Sequence, residues 1–231
     1  MKIRMKFSKN GPIKFIGHLD VMRYFQKAIR RADIDIAYSQ GFSPHQIMSF
    51  AQPLGVGVES NGEYVDVELN SAISSKDVKE KLNAVMNEGI KVESVKKLSD
   101  DAMNAMASVA ASKYLIFIKE GYELGDDYYS QCMKLGQKDH IYIVKKTKKS
   151  EIEMDLKPAI YEMNISEDGL VMLLDSSSSG NIKPNLVLEE VCKENGLLYN
   201  SFAFGIKRID MYTKDAEGDF VSMDKVGEDF W

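Results

Sequence analysis

Cysteine and histidine are scarce in this sequence, and their scarcity limits the chemistry that the chain can carry. Its 231 residues contain two cysteines, Cys132 and Cys192, which stand far apart and in no C-x-x-C spacing. Such a pair argues against a disulfide framework or a zinc site. The three histidines, His18, His45 and His140, form no H-x-x-H or H-E-x-x-H pattern. We therefore expect no metal site and no bound cofactor.

Long apolar runs are also absent. No window approaches 18 uninterrupted apolar residues, and residues 1–6 alternate basic and apolar side chains where a signal peptide would have an apolar run. With 44% apolar residues, the chain has enough material for one large core or two small ones. We expect a protein that does not span a membrane and that works in the cytoplasm.

Charge is spread unevenly along the chain. The net charge is −5, yet residues 1–50 hold nine Lys and Arg against three Asp and Glu, and the remaining residues carry the acidic excess. This asymmetry favours an anionic partner for the N-terminal part. An acidic remainder by itself is common in soluble proteins, so the asymmetry excludes no class of function.

A helix with two contrasting faces is predicted at about 18–32. At 100° per residue the apolar side chains fall on one face and four cations, Arg23, Lys27, Arg30 and Arg31, fall on the other, with only Asp20 opposing them. An ordinary solvated helix usually carries mixed signs. The cationic face is therefore either a binding surface, for which we name these four residues as RNA-binding candidates, or a solvated face of unusual composition.

A turn follows this helix and carries aromatic residues. Gly41-Phe42-Ser43-Pro44 is turn-forming, and extended segments flank it. Aromatic rings beside cations suit stacked bases and phosphates, although the rings could equally fill the core. The candidate loop for partner or substrate contact consists of Tyr38, Gln40, Gly41, Phe42, Pro44 and His45.

The order of predicted elements indicates an α+β fold built from two tandem ferredoxin-like units. In the first unit, strand 2–8, helix 18–32, extended segments 36–38 and 46–51, strand 63–69, a helix from Ser74 to Gly89 and strand 90–98 give the order β-α-β-β-α-β. We predict a first domain at 1–98 and a connector at 99–112.

The order repeats in a second domain at 113–231. It comprises strand 114–119, a helix at about 126–135, strands 140–146 and 151–156, a hairpin at 160–174, helix 184–194, strand 202–213 and a loosely held polar tail. Two loops punctuate this domain. The serine-rich stretch 175–181 is either a phosphate cradle or a mobile loop, and 155–158 is interpreted as a structural break.

Several strings in the first half resemble a known family. Phe15-Ile16-Gly17-His18-Leu19-Asp20, then Ala37 to His45, then Ser49-Phe50-Ala51 and Gly57-Val58-Glu59-Ser60 resemble the radical SAM-linked protein family, a family of unknown function. Its members occur fused to, or encoded beside, a B12-binding-type radical SAM protein. The resemblance implies such a protein as partner and supplies no catalytic residues. A radical SAM cluster needs three cysteines in a C-x-x-x-C-x-x-C run, so the cluster is expected on another polypeptide.

We therefore expect a non-catalytic accessory protein that works with a radical SAM enzyme and binds RNA, such as tRNA or rRNA, through the basic helix. One alternative is a metal-independent RNA-processing enzyme in which His18 or His45 is the general acid or base. Another is a protein–protein adaptor that binds no RNA.

Overall fold

The protein was analysed as a computed structural model that describes residues 1–71, 74–125, 127–146 and 151–231. The chain forms two compact units. Unit 1 contains Met1–Ala110 and Arg208–Trp231, and unit 2 contains Ala111–Lys207. Residues 99–110 of the predicted connector lie in unit 1, and so do the last 24 residues of the chain, which were predicted in the second domain.

The elements of the described residues are mixed helices and strands, so the fold is α+β. The helices are α1 (His18–Arg31), α2 (Ser75–Val85), α3 (Ala105–Ser108), α4 (Tyr128–Gly136) and α5 (Pro184–Glu194). The strands are β1 (Lys2–Lys9), β2 (Met48–Phe50), β3 (Glu59–Glu68), β4 (Ile90–Lys97), β5 (Ala111–Ile118), β6 (Tyr142–Lys146), β7 (Glu151–Asp155), β8 (Ile160–Ser166), β9 (Gly169–Asp175), β10 (Phe204–Lys214) and β11 (Phe220–Ser222). The predicted helix at 126–135 corresponds to α4, and its first residue lies outside the described part.

Local sequence accounts for the ends of α2. The Ser74 hydroxyl accepts a hydrogen bond from the Asp77 backbone N–H at 3.0 Å, as the predicted cap requires. The helix ends at Val85, earlier than predicted. Gly89 instead lies in the turn before β4 with φ +94°, where an added Cβ would stand 2.7 Å from the Asn10 carbonyl oxygen. Glycine is therefore required there both by conformation and by space.

The sheet of unit 1 positions α1. Strands β4, β1 and β3 are neighbours, β1 pairs antiparallel with both of its neighbours, and β2 and β10 both join β3. Successive side chains of β1 point to opposite faces of the sheet. Ile3, Met5 and Phe7 share one face and are buried against the apolar side of α1. The Phe7 and Phe25 rings lie 4.6 Å apart. This aromatic contact anchors the helix and leaves its opposite side to solvent.

Unit 2 has its own core. Strands β5, β9 and β8 are neighbours in one sheet, and β6 and β7 form a separate antiparallel pair. Helices α4 and α5 bury the two cysteines against these strands, and burial raises the pKa of Cys132 to about 12. Both cysteines therefore act as small apolar core residues.

The C-terminal segment is held in unit 1, which corrects the expectation of a loosely held polar tail. Glu228 exchanges two backbone hydrogen bonds with Lys97, and Phe230 packs against the core. Trp231 is exposed. Hydrophobic periodicity misses this docking because backbone pairing needs no particular side chains.

Among the described residues, no helix is both long enough and apolar enough to span a membrane.

Candidate nucleic-acid interface

The outward face of α1 carries the four predicted cations. Helical spacing places three of them at i, i+4 and i+7, and all four side chains are exposed: Arg23, Lys27, Arg30 and Arg31. The opposite face is buried through Val21, Phe25, Ala28 and Ile29. Met22, an apolar residue that the helical periodicity places on that face, is only half-buried. The two faces therefore lie as the periodicity predicts.

Most of this positive charge has no carboxylate beside it. Arg23 forms an exposed ion pair with Asp20 at 3.3 Å. Arg30 Nε donates to the Gln26 carbonyl oxygen at 3.2 Å, and an Arg31 guanidinium N–H donates to the Val85 carbonyl oxygen at 3.0 Å. In the described part of the chain, no carboxylate oxygen comes within 4.0 Å of the charged nitrogens of Lys27, Arg30 or Arg31. We call the four exposed cations of α1, Arg23, Lys27, Arg30 and Arg31, the cationic face.

The loop between Ser39 and His45 is closed by its own hydrogen bonds. Ser39 N–H donates to the His45 carbonyl oxygen at 2.8 Å, and His45 N–H donates to Ser39 Oγ at 3.1 Å. The same hydroxyl lies 2.9 Å from His45 Nδ1. Gly41 adopts φ +112°, a conformation that side chains disfavour. These bonds and this glycine give the loop a defined shape.

The loop presents its aromatic side chain to solvent. Phe42 is fully exposed, and Tyr38 is 46% exposed. Gln40, Pro44 and His45 are exposed as well. The alternative in which Phe42 fills the core is therefore wrong. Tyr38 and Gln46 pair in an isolated antiparallel bridge at the base of the loop, and Phe42 lies in the turn between them.

One carbonyl group joins this loop to the cationic face. Gln46, at the base of the loop, is buried, and its Nε2 donates to the Gln26 carbonyl oxygen at 3.3 Å. Arg30 Nε donates to the same oxygen. The loop base and the middle of the cationic face therefore meet at one atom. The sequence predicts both features but not their contact.

The two histidines proposed as acid or base lie in different settings. His18 begins α1, and its ring packs edge-on against Phe50 with centroids 5.5 Å apart. Burial, and then the charge of Lys9, lower the pKa of His18. His45 belongs to the exposed loop. Within the described residues they share no hydrogen-bond partner, so the structure does not join them into one acid–base pair.

A small pocket beside His18 contains charged groups that sequence reasoning missed. Lys9 is 2% exposed, and its Nζ donates to the Ile16 carbonyl oxygen at 2.8 Å. Glu63 accepts two hydrogen bonds from Arg208, at 2.9 and 3.1 Å. Burial raises the pKa of Glu63 and the Arg208 charge opposes the shift. Charged side chains at strand positions are usually exposed, so no local signal in the sequence marks these groups as buried.

In unit 2, Asp155 organises a turn. Its carboxylate accepts hydrogen bonds from the Ile141 and Lys157 backbone N–H groups and from His140 Nδ1, at 2.8 to 2.9 Å. These hydrogen bonds lower the pKa of Asp155 to about 2. The His140 ring stacks on Tyr142 at 5.4 Å. These contacts support the interpretation of residues 155–158 as a structural break between elements.

In the serine-rich loop, two backbone N–H groups already have acceptors inside the loop. Asp175 accepts a hydrogen bond from the Ser177 backbone N–H at 2.8 Å, and the Gly180 N–H donates to Ser177 Oγ at 3.1 Å. A carboxylate already occupies the position of an anion, and it would repel another one. In the described ranges, no three His, Cys, Asp or Glu side chains are grouped to hold a metal ion.

Comparison with known proteins shows a family and a fold. The profile of a family described as "Uncharacterized protein conserved in bacteria (DUF2344)" matches residues 2–184. No curated protein sequence matches the chain. Among solved structures, a chain from the crystal structure of a Cbf5-Nop10-Gar1 complex matches with a TM-score of 0.51 and 10% identity, covering 92% of this chain and 50% of that chain. This chain thus spans about half the length of that neighbour, and such low identity indicates similarity of fold alone.

Proposed function

We propose that this chain, which belongs to the bacterial family DUF2344, is a non-catalytic accessory protein that binds RNA through the cationic face of α1. The observation that carries the proposal is the run of exposed cations, three of which lack a carboxylate neighbour in the described residues. Uncompensated positive charge on a surface attracts phosphate groups. The fixed, exposed loop beside Arg30 adds an aromatic contact to the same surface.

The proposed partner protein is a radical SAM enzyme. This part of the proposal rests on the resemblance of residues 15–60 to radical SAM-linked proteins, since the matched family is described only as uncharacterized. The chain would bind the RNA substrate and present it, and the enzyme would carry the cluster and the chemistry. Affinity purification from cells tests the proposed partner. The tagged chain should capture a radical SAM polypeptide, and a purification that captures other proteins but no radical SAM polypeptide would contradict the proposal.

We also interpret both units as ferredoxin-like folds. In unit 1, the chain order β-α-β-β-α-β and the sheet order β4-β1-β3-β2, antiparallel throughout, support this interpretation. In unit 2, the sheet order β5-β9-β8 is compatible with it, and the pair β6 and β7 is an addition. The fold itself assigns no activity.

The RNA proposal predicts a specific salt dependence. Four phosphate contacts to a single strand give a log–log slope of the binding constant against salt of about −3, at roughly −0.7 per contact. Lys27→Gln with Arg30→Gln should flatten that slope by about 1.4, because two contacts are lost. Filter binding of tRNA and rRNA fragments across a salt series measures both slopes.

A matched control separates this effect from a general loss of charge. Lys134→Gln with Lys193→Gln removes two exposed positive charges from unit 2 and should leave the slope unchanged. An unchanged slope in the α1 variant would remove the cationic face from the binding surface. Binding no stronger than that of an acidic protein of equal size would favour the adaptor alternative. RNA cleavage without metal that is lost in His18→Ala or His45→Ala would favour the enzyme alternative.

A further inference from the structure

Phe42 is placed to do more than contact a partner in general. Its ring is fully exposed. An exposed ring contributes no burial free energy to folding, so the stability of the fold does not explain a phenylalanine at this position. The two ends of its loop are tied by the Ser39 and His45 hydrogen bonds, so the ring is presented on a shaped support. Binding to such a support loses less conformational entropy than binding to a flexible loop.

The ring also lies in a loop whose base adjoins uncompensated cations. Gln46 and Arg30 donate to the same Gln26 carbonyl oxygen, which fixes the loop base beside the centre of the cationic face. A phosphate held by Arg30 would therefore bring its attached nucleotide towards the loop. Exposed aromatic rings next to a positive track are the arrangement by which proteins hold unpaired nucleotides.

We propose that the site selects single-stranded RNA, with one unpaired base stacked on Phe42 while the following phosphates lie along the four cations of the cationic face. This inference rests on the proposed function and adds the class of RNA to it. Bases inside a duplex have both faces covered by neighbouring base pairs, so they are not available to stack on a protein ring. A site that stacks a base on Phe42 therefore favours a single strand.

The length of the cationic face sets the size of the site. The seven steps along the helix from Arg23 to Arg30 span about 10 Å at 1.5 Å per residue. A stacked strand advances about 3.4 Å per nucleotide, so this length corresponds to about three nucleotides. With the base on Phe42, the site takes about four. Affinity should therefore rise with oligonucleotide length up to about four nucleotides and then increase only slowly.

The test uses the full chain and a fluorescent ten-nucleotide RNA of mixed sequence, single-stranded or annealed to its complement. Loss of one base–aromatic stacking contact costs about 1–3 kcal/mol, so Phe42→Ala should weaken single-strand binding by about 5- to 150-fold. It should leave the salt slope unchanged, because no phosphate contact is lost. Phe42→Tyr should retain most of the affinity, since it keeps the ring. Phe202→Ala, which removes an exposed phenylalanine from unit 2, should change nothing.

Each outcome separates stacking from RNA binding itself. Equal affinity of the wild type for the duplex and the single strand would overturn the inference. So would equal affinity of Phe42→Ala and wild type, even if the salt slope still depended on Lys27 and Arg30, and the proposed function would then remain. Absence of binding to either RNA at low salt would overturn both. A 2-aminopurine placed in the strand should lose fluorescence on binding to the wild type and not on binding to Phe42→Ala.

Discussion

Unit 1 contains two groups of positively charged side chains that differ in their surroundings. On α1, Lys27 and Arg30 are exposed and have no carboxylate neighbour in the described residues. On the strands, Arg4 and Arg208 are 2% and 3% exposed, and each makes two hydrogen bonds with a carboxylate, Asp66 or Glu63. Buried charges need such partners because their desolvation is costly. The comparison shows which cations hold the fold and which are available to a ligand.

The largest expected effect comes from breaking a buried pair. Arg208→Met leaves the Glu63 carboxylate buried without its main partner, which should lower the free energy of unfolding by about 3–5 kcal/mol. Urea denaturation at neutral pH measures the loss. Combining Arg208→Met with Glu63→Leu should recover much of it, since neither charge then remains. A loss below about 1 kcal/mol in the single variant would show that the buried and exposed cations do not differ in the way proposed.

A smaller effect is expected from pH. The pKa of His18 is lowered in the folded protein, so the unfolded chain binds a proton at higher pH than the folded one. Stability contributed by neutral His18 is therefore present above pH 6.5 and is lost as the pH falls below that value. His18→Gln should reduce the loss of stability between pH 7 and 5, measured by thermal unfolding. His45→Gln, in the exposed loop, is the control. An identical pH profile in wild type and His18→Gln would contradict the lowered pKa of His18.

The smallest effect on stability is expected on α1. Lys27→Gln with Arg30→Gln removes two exposed charges and should change the free energy of unfolding by no more than about 0.5 kcal/mol. The same variant should alter RNA binding, so the two measurements together distinguish a ligand surface from a structural one. A loss of stability comparable to that of Arg208→Met would place these cations among the residues that hold the fold.

Features that arise between neighbouring residues were predictable from the sequence, and features that join distant residues were not. The two faces of α1 repeat every three or four residues, and the alternation of β1 repeats every two, so both were predictable. Glu63 and Arg208 are 145 positions apart. No local pattern connects them, and the partition of β10 from Arg208 onward into unit 1 escaped prediction for the same reason.

The residues of the candidate site were predictable from the sequence, but their exposure and their contacts were not. Its cations and its loop residues were identified from the sequence, including Phe42, but the sequence left open whether that ring is buried or exposed. Tyr38 pairs with Gln46 at the base of the loop, and the position beside Arg30 depends on the Gln26 carbonyl group. No periodicity in the sequence marks either contact.

The sequence by itself determined the α+β composition, the amphipathic first helix and the sign of its outer face, because backbone periodicity and side-chain polarity are local properties. The tertiary structure alone decided which charges are buried in pairs, where the C-terminal segment docks and how the loop meets the cationic face. Those outcomes depend on desolvation and on backbone hydrogen bonds between distant segments, and such energies exist only once the segments have come together.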